Sequence, residues 1–184
     1  YLQDDYNNTV IGLTDAGHRI LALDASYIPT ERLSFHAFFS YEDVSSKQAG
    51  SVTGDLPDNW TDISDRIGTG GIGVEYLLPG DRWTVGLEYA ESQGTSETDV
   101  RAQTKEVSPF PDIDSRLRTV KLRAKYQVDD RWSVNAVWWY SRFKSTNWAL
   151  DGVEPDSVPG LLLSGVESPD YDVNTLMLSA TYRW

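Results

Sequence analysis

The 184-residue chain contains 28 acidic and 16 basic residues, a formal net charge of -12 and no cysteine. The lack of a basic footprint excludes nucleic acid as a partner, and the lack of cysteine excludes disulfide and thiolate-metal frameworks within the chain. The mean hydropathy is -0.43, and no stretch approaches the ~18 to 20 consecutive apolar residues that a spanning helix needs. Transmembrane strands remain open, because each needs only about 10 residues and half of them face a wet lumen.

Residues 1–17 are polar and are predicted to form a loop entered from something upstream. The opening Tyr1-Leu2-Gln3-Asp4-Asp5 has neither the basic start nor the apolar run of a signal peptide, so we expect a processed chain or a fragment. Apolar and polar residues alternate over 18–27 and again over 33–42, on either side of a short turn at 29–31. This period of two predicts a β-hairpin.

Two further hairpins follow the same plan. Strands 70–78 and 83–90 flank a turn at Pro79-Gly80-Asp81, and strands 116–127 and 132–143 flank Asp129-Asp130. A seventh strand is predicted at 172–184. The segments between hairpins are polar and are predicted to be long loops, at 43–68, 91–115 and 144–170.

The three turns repeat one another in sequence. Each has a Tyr, an acidic turn, and an Arg followed by a large apolar residue, beginning at Tyr27, Tyr76 and Tyr126. The period is about 50 residues, but each period holds two strands and one long loop, whereas a propeller blade of that length needs four strands. The repeating unit is therefore a hairpin, with short turns at one end of the strands and long loops at the other.

This asymmetry is typical of bacterial outer-membrane barrels, which have short periplasmic turns and long extracellular loops. Ten residues at ~3.3 Å each and ~45° tilt cover roughly 23 Å, close to the apolar band of such a barrel. The predicted fold is all-β, an antiparallel transmembrane β-barrel in the bacterial outer membrane with a periplasmic C-terminus. Seven strands is an odd number, so we favour the C-terminal strands of a larger barrel over a minimal barrel with a truncated eighth strand.

The alternation assigns a side to each strand residue. Aromatic residues near the turns are predicted to form a girdle at the periplasmic interface of the membrane, comprising Tyr27, Tyr76, Trp83, Tyr126, Trp132, Tyr182 and Trp184. Charged residues of the opposite parity are predicted to face the lumen, comprising Asp24, His36, Glu42, Glu75, Glu88, Lys121, Arg123, Lys125 and Arg183.

The cationic part of that set has two interpretations. Lys121, Arg123 and Lys125 either line a selective lumen or docking surface, or are polar because the lumen is wet and pair with acidic residues across it. We favour the second. The chain is not predicted to be an enzyme or to bind metal or haem, because no motif joins its Ser, His and Asp residues, and Cys-x-x-Cys-His is absent.

Three smaller features have a structural and a functional interpretation. His36 is favoured as an ordinary lumen-facing residue over a catalytic base or haem ligand. A solvated anionic loop is favoured over calcium binding for Asp55, Asp58, Asp62 and Asp65, whose spacing is not that of an EF-hand. Trp60 and Trp148, which fall in predicted loops, are either partner contacts or loop-packing anchors.

Several short segments carry a family resemblance. Asp5-Tyr6-Asn-Asn-Thr-Val-Ile-Gly-Leu-Thr14, Leu23-Asp-Ala-Ser-Tyr27 and Phe38-Phe-Ser-Tyr-Glu42, continued by Trp60, Asp65 and Gly70 to Tyr76, resemble the C-terminal part of the decahaem-associated outer-membrane porins of the MtrB/PioB type. The resemblance extends to the terminal strand. The chain ends in Trp184 where many outer-membrane proteins end in Phe, and we expect the same assembly-signal role.

The resemblance implies a large barrel that sheathes a periplasmic multihaem c-type cytochrome, so that electrons cross the outer membrane. The haem would belong to the partner, and an extracellular multihaem cytochrome would dock on the loops. The only other expected contact is membrane lipid. The alternatives are a passive porin for small solutes and a structural or adhesive outer-membrane barrel.

Overall fold

The computed structural model describes residues 2–5, 9–54, 56–103, 105–152, 154 and 166–184. Tyr1, Tyr6 and Asp55, which entered the predictions above, lie outside these residues. Within the described ranges every regular element is a strand, and no helix is long and apolar enough to cross a membrane.

The described residues form nine strands. They are β1 (Leu2–Asp5), β2 (Gly12–Thr30), β3 (Leu33–Gly50), β4 (Asn59–Leu77), β5 (Trp83–Ala102), β6 (Lys105–Pro109), β7 (Ile113–Gln127), β8 (Trp132–Thr146) and β9 (Tyr171–Tyr182).

All nine strands join one antiparallel sheet. Its order is β1-β2-β3-β4-β5-β7-β8-β9, and the short β6 pairs with the end of β5 beyond β7. Each long strand is hydrogen-bonded to its neighbour in sequence, so the sheet is a meander of hairpins. β1 and β9 do not pair with each other, and the described sheet is open.

The short connections lie together at one end of the sheet, which we call the turn end. The amide N–H groups of Leu77, Gln127 and Arg183 donate to the carbonyl oxygens of Arg32, Arg82 and Arg131, at N–O distances of 2.8, 2.8 and 2.9 Å. These three arginines are the repeated arginine of the turn motif. The sequence repeat therefore marks equivalent positions in the sheet. At each of them, the turn that joins two strands is hydrogen-bonded to the end of the strand that pairs with the second of the two.

The strands are longer than the alternation predicted. The seven predicted strands lie on β2, β3, β4, β5, β7, β8 and β9, but β2 to β5 each contain 18 to 20 residues. Two short strands, β1 and β6, were not predicted. β9 ends at Tyr182 rather than at Trp184, and β4 ends at Leu77 rather than at residue 78.

The extra length comes from segments that were predicted to be loops. Residues 43–50 and 59–68 belong to β3 and β4, so the connection between them is only 51–58. Residues 91–102 belong to β5, and residues 12–17 of the predicted N-terminal loop belong to β2. Both faces of these extensions are polar, so the period of two that identifies a half-apolar strand is lost, although backbone pairing continues.

Candidate functional site: the two faces of the sheet

The register keeps apolar side chains in continuous rows on one face, here called the apolar face. One row crosses five strands through Val74, Leu87, Leu122, Trp138 and Leu176, each directly opposite the next. A second row joins Leu23 on β2 to Phe39 on β3. Because side chains alternate along every strand, these aligned rows make a continuous part of this face apolar across neighbouring strands.

The apolar face has no protein cover within the described residues. Ala49 is the one buried apolar residue among them, whereas Leu23 is 60% exposed, Leu176 is 68% exposed and Leu178 is 72% exposed. Leaving a side chain of this size in water instead of burying it costs about 1.5–3 kcal/mol. A sheet that leaves a row of them uncovered needs an apolar medium, and lipid supplies one.

Aromatic side chains lie on the apolar face close to the turn end. Trp83 packs on Tyr126 at 4.6 Å between ring centroids, and Trp132 packs on Tyr182 at 5.0 Å. Tyr182 in turn contacts Trp184 at 6.4 Å. Tyr27 stacks on Phe35, and Tyr76 lies opposite Leu33 and Val85. Six of the predicted girdle residues therefore share one face and one end, where amphipathic rings suit a membrane interface, and Trp184 follows β9 and contacts Tyr182 there. That the interface is the periplasmic one stays a prediction.

The opposite face, here called the polar face, holds an ion-pair cluster around Glu88. The Glu88 carboxylate lies 3.6 Å from Lys121 Nζ, 3.4 Å from an Arg123 guanidinium nitrogen and 3.6 Å from His36 Nε2. Lys121 also lies over the Trp139 ring, at 4.7 Å from its centroid. The Glu88 side chain is only 20% exposed, so it attracts the two cations beside it in a partly enclosed position and offsets one of their two positive charges.

The remaining predicted lumen-facing residues lie on the same face but outside this cluster. Glu42 contacts His18 at 3.3 Å, while Asp24 lies opposite Phe38 and Glu75 lies opposite Gly86. Arg183 lies just past β9. Asp24, Glu75 and Lys125 have no ion-pair partner among the described residues. The observed pairs, of Glu88 with Lys121 and Arg123 and of Glu42 with His18, join nearby strands of the same wall, so pairing across a lumen and the lumen assignment itself stay predictions.

Glycines allow two aromatic rings to lie flat on the polar face. A Cβ at Gly73 would collide with the His36 imidazole, and a Cβ at Gly71 would lie 2.5 Å from the Phe38 ring. Both glycines are on β4, directly opposite the ring that covers them on β3. His36 is therefore held against the wall beside Glu88, which agrees with its interpretation as an ordinary wall residue.

Three of the four acidic residues that were considered for calcium, Asp58, Asp62 and Asp65, lie within the described residues, and they do not form a metal-site group there. Asp58 accepts hydrogen bonds from the Val52 amide at 3.1 Å and from the Asn59 side chain at 2.8 Å, closing the connection between β3 and β4. Asp62 contacts Arg101 at 3.5 Å within the strand ladder. Among the described residues no group of three His, Asp or Glu side chains has the arrangement of a metal site.

The two tryptophans assigned to loops have different environments. Trp60 lies in β4, opposite Ala49 and Arg101, so its placement in a loop was wrong. Trp148 does lie in the connection after β8, where it stacks on Phe110 at 4.6 Å with the ring planes only 8° apart. Because Trp148 joins the connections after β6 and β8, it anchors loop packing.

Charged side chains on the apolar face were missed by the sequence reasoning. Arg116 and Arg118 have the same parity as Leu122, and the Glu91 carboxylate accepts hydrogen bonds from their Nε atoms at 2.6 and 3.2 Å. They lie where the apolar rows end, on the side away from the turns. The signal was present in the sequence of β7. The positions that share the face of Leu122 are basic at Arg116 and Arg118 and become apolar from Val120 onward.

An amphipathic antiparallel meander with one uncovered apolar face, an aromatic row at one end and a polar opposite face is the wall of a transmembrane β-barrel. The sequence profile of the family described as "Putative outer membrane beta-barrel porin, MtrB/PioB" matches residues 1–184. A curated relative, "Outer membrane protein MtrB" of Shewanella baltica (strain OS185), is 30% identical over 185 residues.

The chain belongs to the MtrB/PioB family of outer-membrane β-barrel porins. The alignment covers 100% of this chain and 26% of the Shewanella relative, so the chain spans about a quarter of the length of the curated protein it matches. Membership confirms the predicted family, the transmembrane barrel fold and the outer-membrane location. It is a porin-type family and not a family of enzymes.

Proposed function

We propose that this chain forms part of the wall of an outer-membrane barrel that sheathes a periplasmic multihaem c-type cytochrome and so supports electron transfer across the outer membrane. The haem belongs to the cytochrome, and the wall contributes insulation, not catalysis. The turn end and the C-terminus are periplasmic, and the opposite end is extracellular and able to receive a second multihaem cytochrome.

The observation that carries the proposal is the smoothness of the polar face. Where it crosses the apolar band, about half of its positions are Gly, Ala, Ser or Thr, including Gly71, Gly73, Thr84, Gly86, Ala90, Thr119, Ser133, Ser141, Thr175 and Ser179. Short side chains allow a protein surface to approach the backbone closely. Three of the larger side chains are restrained, since His36 and Phe38 lie on glycines and Lys121 is held by Glu88 and Trp139.

The charge of the face points the same way. The carboxylate of Glu88 offsets one of the two positive charges of Lys121 and Arg123, and Glu42 and Glu75 add negative charge to the same face. The described part of the wall therefore has charges of both signs, not the concentrated ring of one sign that fixes ion selectivity in a pore. A wall of low net charge avoids the cost of burying unpaired charges against a docked protein.

A passive porin is the second candidate. Lys125 on β7 and Glu75 on β4 have no ion-pair partner among the described residues, and unpaired charges on a wetted wall would bias the passage of small ions. This function needs an open lumen in the assembled protein, which separates it from the first candidate.

The test is a visible spectrum of the full-length protein purified from native membranes in mild detergent. Stoichiometric c-type haem that co-purifies through a salt wash is the expected result. A haem-free barrel that gives steady ion conductance in planar bilayers contradicts the sheath and supports the porin.

Two neighbouring residues of β7 give a matched pair of variants. Thr119→Trp places a large ring on the polar face, whereas Val120→Trp places it on the apolar face one residue away. We expect Thr119→Trp to lower the amount of co-purified haem severalfold and Val120→Trp to leave it unchanged. A change of gel migration on heating shows that both variant barrels are folded. Equal retention of haem would show that the cytochrome does not contact this wall.

A further inference from the structure

A cluster of four basic side chains lies on the apolar face, away from the turn end. Arg116 and Arg118 are on β7 and Arg142 and Lys144 are on β8; together they are called the basic cluster. The register places Arg116 directly opposite Lys144 and Arg118 directly opposite Arg142. Like charges at directly paired positions destabilise a sheet, so two such pairs in succession need an anionic partner.

The protein supplies only part of that partner. Glu91 on β5 binds Arg116 and Arg118 from one side. On the other side, Asp172 lies 3.6 Å from Arg142 Nε, and Asp170 lies 3.7 Å from Lys144 Nζ. The four cations of the basic cluster thus pair with three carboxylates, all of which approach from its flanks. A fourth carboxylate, that of Asp114, lies on the same face one row beyond Arg116 and accepts a hydrogen bond from Thr95 at 2.8 Å. The two rows of the β7–β8 seam that form the cluster carry no carboxylate of their own among the described residues.

The rows beneath the basic cluster change from apolar to polar in an ordered way. Leu122, Trp138 and Leu176 form one row, and Val120, Tyr140 and Asn174 form the next. The Tyr140 hydroxyl donates to Asp172 at 2.7 Å. The row above is already Arg118 and Arg142. Hydrocarbon contact thus gives way to paired cations within two rows, each about 7 Å along the strand.

The four basic side chains are accessible on this face. Their exposed fractions run from 43% for Arg118 and Arg142 to 55% for Lys144. Guanidinium and ammonium groups are strong donors to phosphate, and arginine matches phosphate oxygens with two parallel N–H groups. Two stacked cation pairs suit a headgroup with more than one phosphate.

We propose that the basic cluster binds the phosphates of a phosphorylated glycolipid, lipid A, in the outer leaflet, with acyl chains lying along Trp138 and Leu122. The bound phosphate relieves the repulsion across the β7–β8 seam. The inference rests on the apolar face meeting lipid and on the turn end being periplasmic, and it is independent of what fills the lumen.

The test measures lipid binding to the delipidated full-length protein by native mass spectrometry. The probes are lipid A, dephosphorylated lipid A and phosphatidylglycerol. For Arg118→Gln with Arg142→Gln we expect about a tenfold loss of lipid A affinity, because two charge-assisted contacts are removed. Arg82→Gln with Arg131→Gln is the matched control, since it removes the same charge from the turn end of the same sheet and should leave the affinity unchanged.

Equal lipid A affinity in both double variants overturns the proposal. Phosphatidylglycerol binding as tightly as lipid A also overturns it, by showing a general anionic surface at either leaflet. Arg118→Lys with Arg142→Lys keeps the charge and should stay within a few-fold of the unmodified protein. If the double glutamine variant does not fold, as shown by a gel band that does not shift on heating, Lys144→Gln is tested instead. Its affinity for lipid A is expected to fall about threefold, and an unchanged affinity contradicts the proposal.

Discussion

The same strands pass through two regions that are stabilised in different ways. Near the turn end, β4 and β5 present apolar residues such as Val74 and Leu87 on one face and small polar residues on the other. Farther along, the same two strands are joined by polar pairs, including Arg66 with Glu97 at 3.4 Å and Thr69 with Ser92 at 2.9 Å. The backbone ladder continues through both regions without interruption.

The difference shows which part of the sheet depends on the membrane. β2 has 19 residues, which at ~3.3 Å each and ~45° tilt rise about 44 Å, well beyond an apolar band of about 25 Å. The part with aligned apolar rows needs lipid, because none of the described residues covers it. The remaining part stands in water and is held by backbone hydrogen bonds and exposed cross-strand pairs, each of small net value.

A charge in the middle of the apolar region is expected to have the largest effect. Leu122 is the middle one of the five β7 residues from Arg118 to Tyr126 that lie on the apolar face, and it is 45% exposed. Leu122→Arg should lower the free energy of unfolding in lipid vesicles by about 2–4 kcal/mol, as expected for arginine near the bilayer centre. Denaturant titration measures it. Thr98→Arg, in the polar extension of β5, is the control and should change stability by less than about 0.5 kcal/mol; equal losses would mean that lipid does not contact Leu122.

Filling the space beneath His36 is expected to have an intermediate effect. Gly73→Ala forces the imidazole off the wall and away from Glu88, which should cost about 1–3 kcal/mol of stability. Adding His36→Ala removes the collision and should restore most of the loss. The measurement is the same denaturant titration as a double-mutant cycle. Additive losses from the two substitutions would show that the ring does not lie on Gly73.

Breaking an ion pair in the polar extension is expected to have a small effect. The Arg66 and Glu97 side chains are about half exposed, at 54% and 48%. Glu97→Gln should therefore change the free energy of unfolding by no more than about 0.5 kcal/mol, and the difference should vanish at high salt. A loss larger than 2 kcal/mol would show that the extension is more tightly coupled to the membrane region than its contacts indicate.

The smallest expected effect is local and depends on pH. Hydrogen bonds from the backbone of Asn147 and Ser168 hold the pKa of the Asp151 carboxyl below its ordinary value of 3.8. A lowered folded pKa means that the ionised carboxylate stabilises this connection fully above the ordinary value and loses that effect as pH falls through the lowered one. Amide exchange at Asn147 and Ser168, corrected for intrinsic rates, should accelerate below that range. Asp151→Asn should abolish the pH response, and a response that persists in this variant would assign it to another group.

The sequence predicted the membrane region because lipid on one side and polar surroundings on the other impose a period of two. The alternation at Leu21, Leu23 and Phe39 is that signal, and the repeated turn arginines marked the ends of the hairpins. The extensions were missed because polar residues such as Ser45, Thr61 and Thr98 occupy both faces of the sheet there. Without an apolar face, the sequence has no alternation to reveal a strand. The pairing of the extensions is long-range backbone bonding that only the register reveals.

The polar face was only partly predictable for a similar reason. The alternation along each strand placed His36, Glu88 and Lys121 on the same face of the sheet. It did not show which of these side chains are in contact, because they are far apart in the sequence. Glu88 meets His36 because Gly73 between them has no side chain, and that requires the β3–β4–β5 register. The basic cluster needed the same information, since Arg118 and Arg142 become a repulsive pair only when β7 and β8 are aligned.

The facing of β7 is the central claim, and single-cysteine spin labels test it most directly. Residues 1–184 contain no cysteine, so once any cysteine elsewhere in the full-length protein has been replaced, a label can be placed at each position from 119 to 126 in turn after reconstitution. The account predicts high collision rates with lipid-soluble oxygen at Val120, Leu122, Ala124 and Tyr126 and low rates at the residues between them. A reversed pattern, or the same accessibility at Lys121 as at Leu122, would contradict the assignment of the apolar face to lipid.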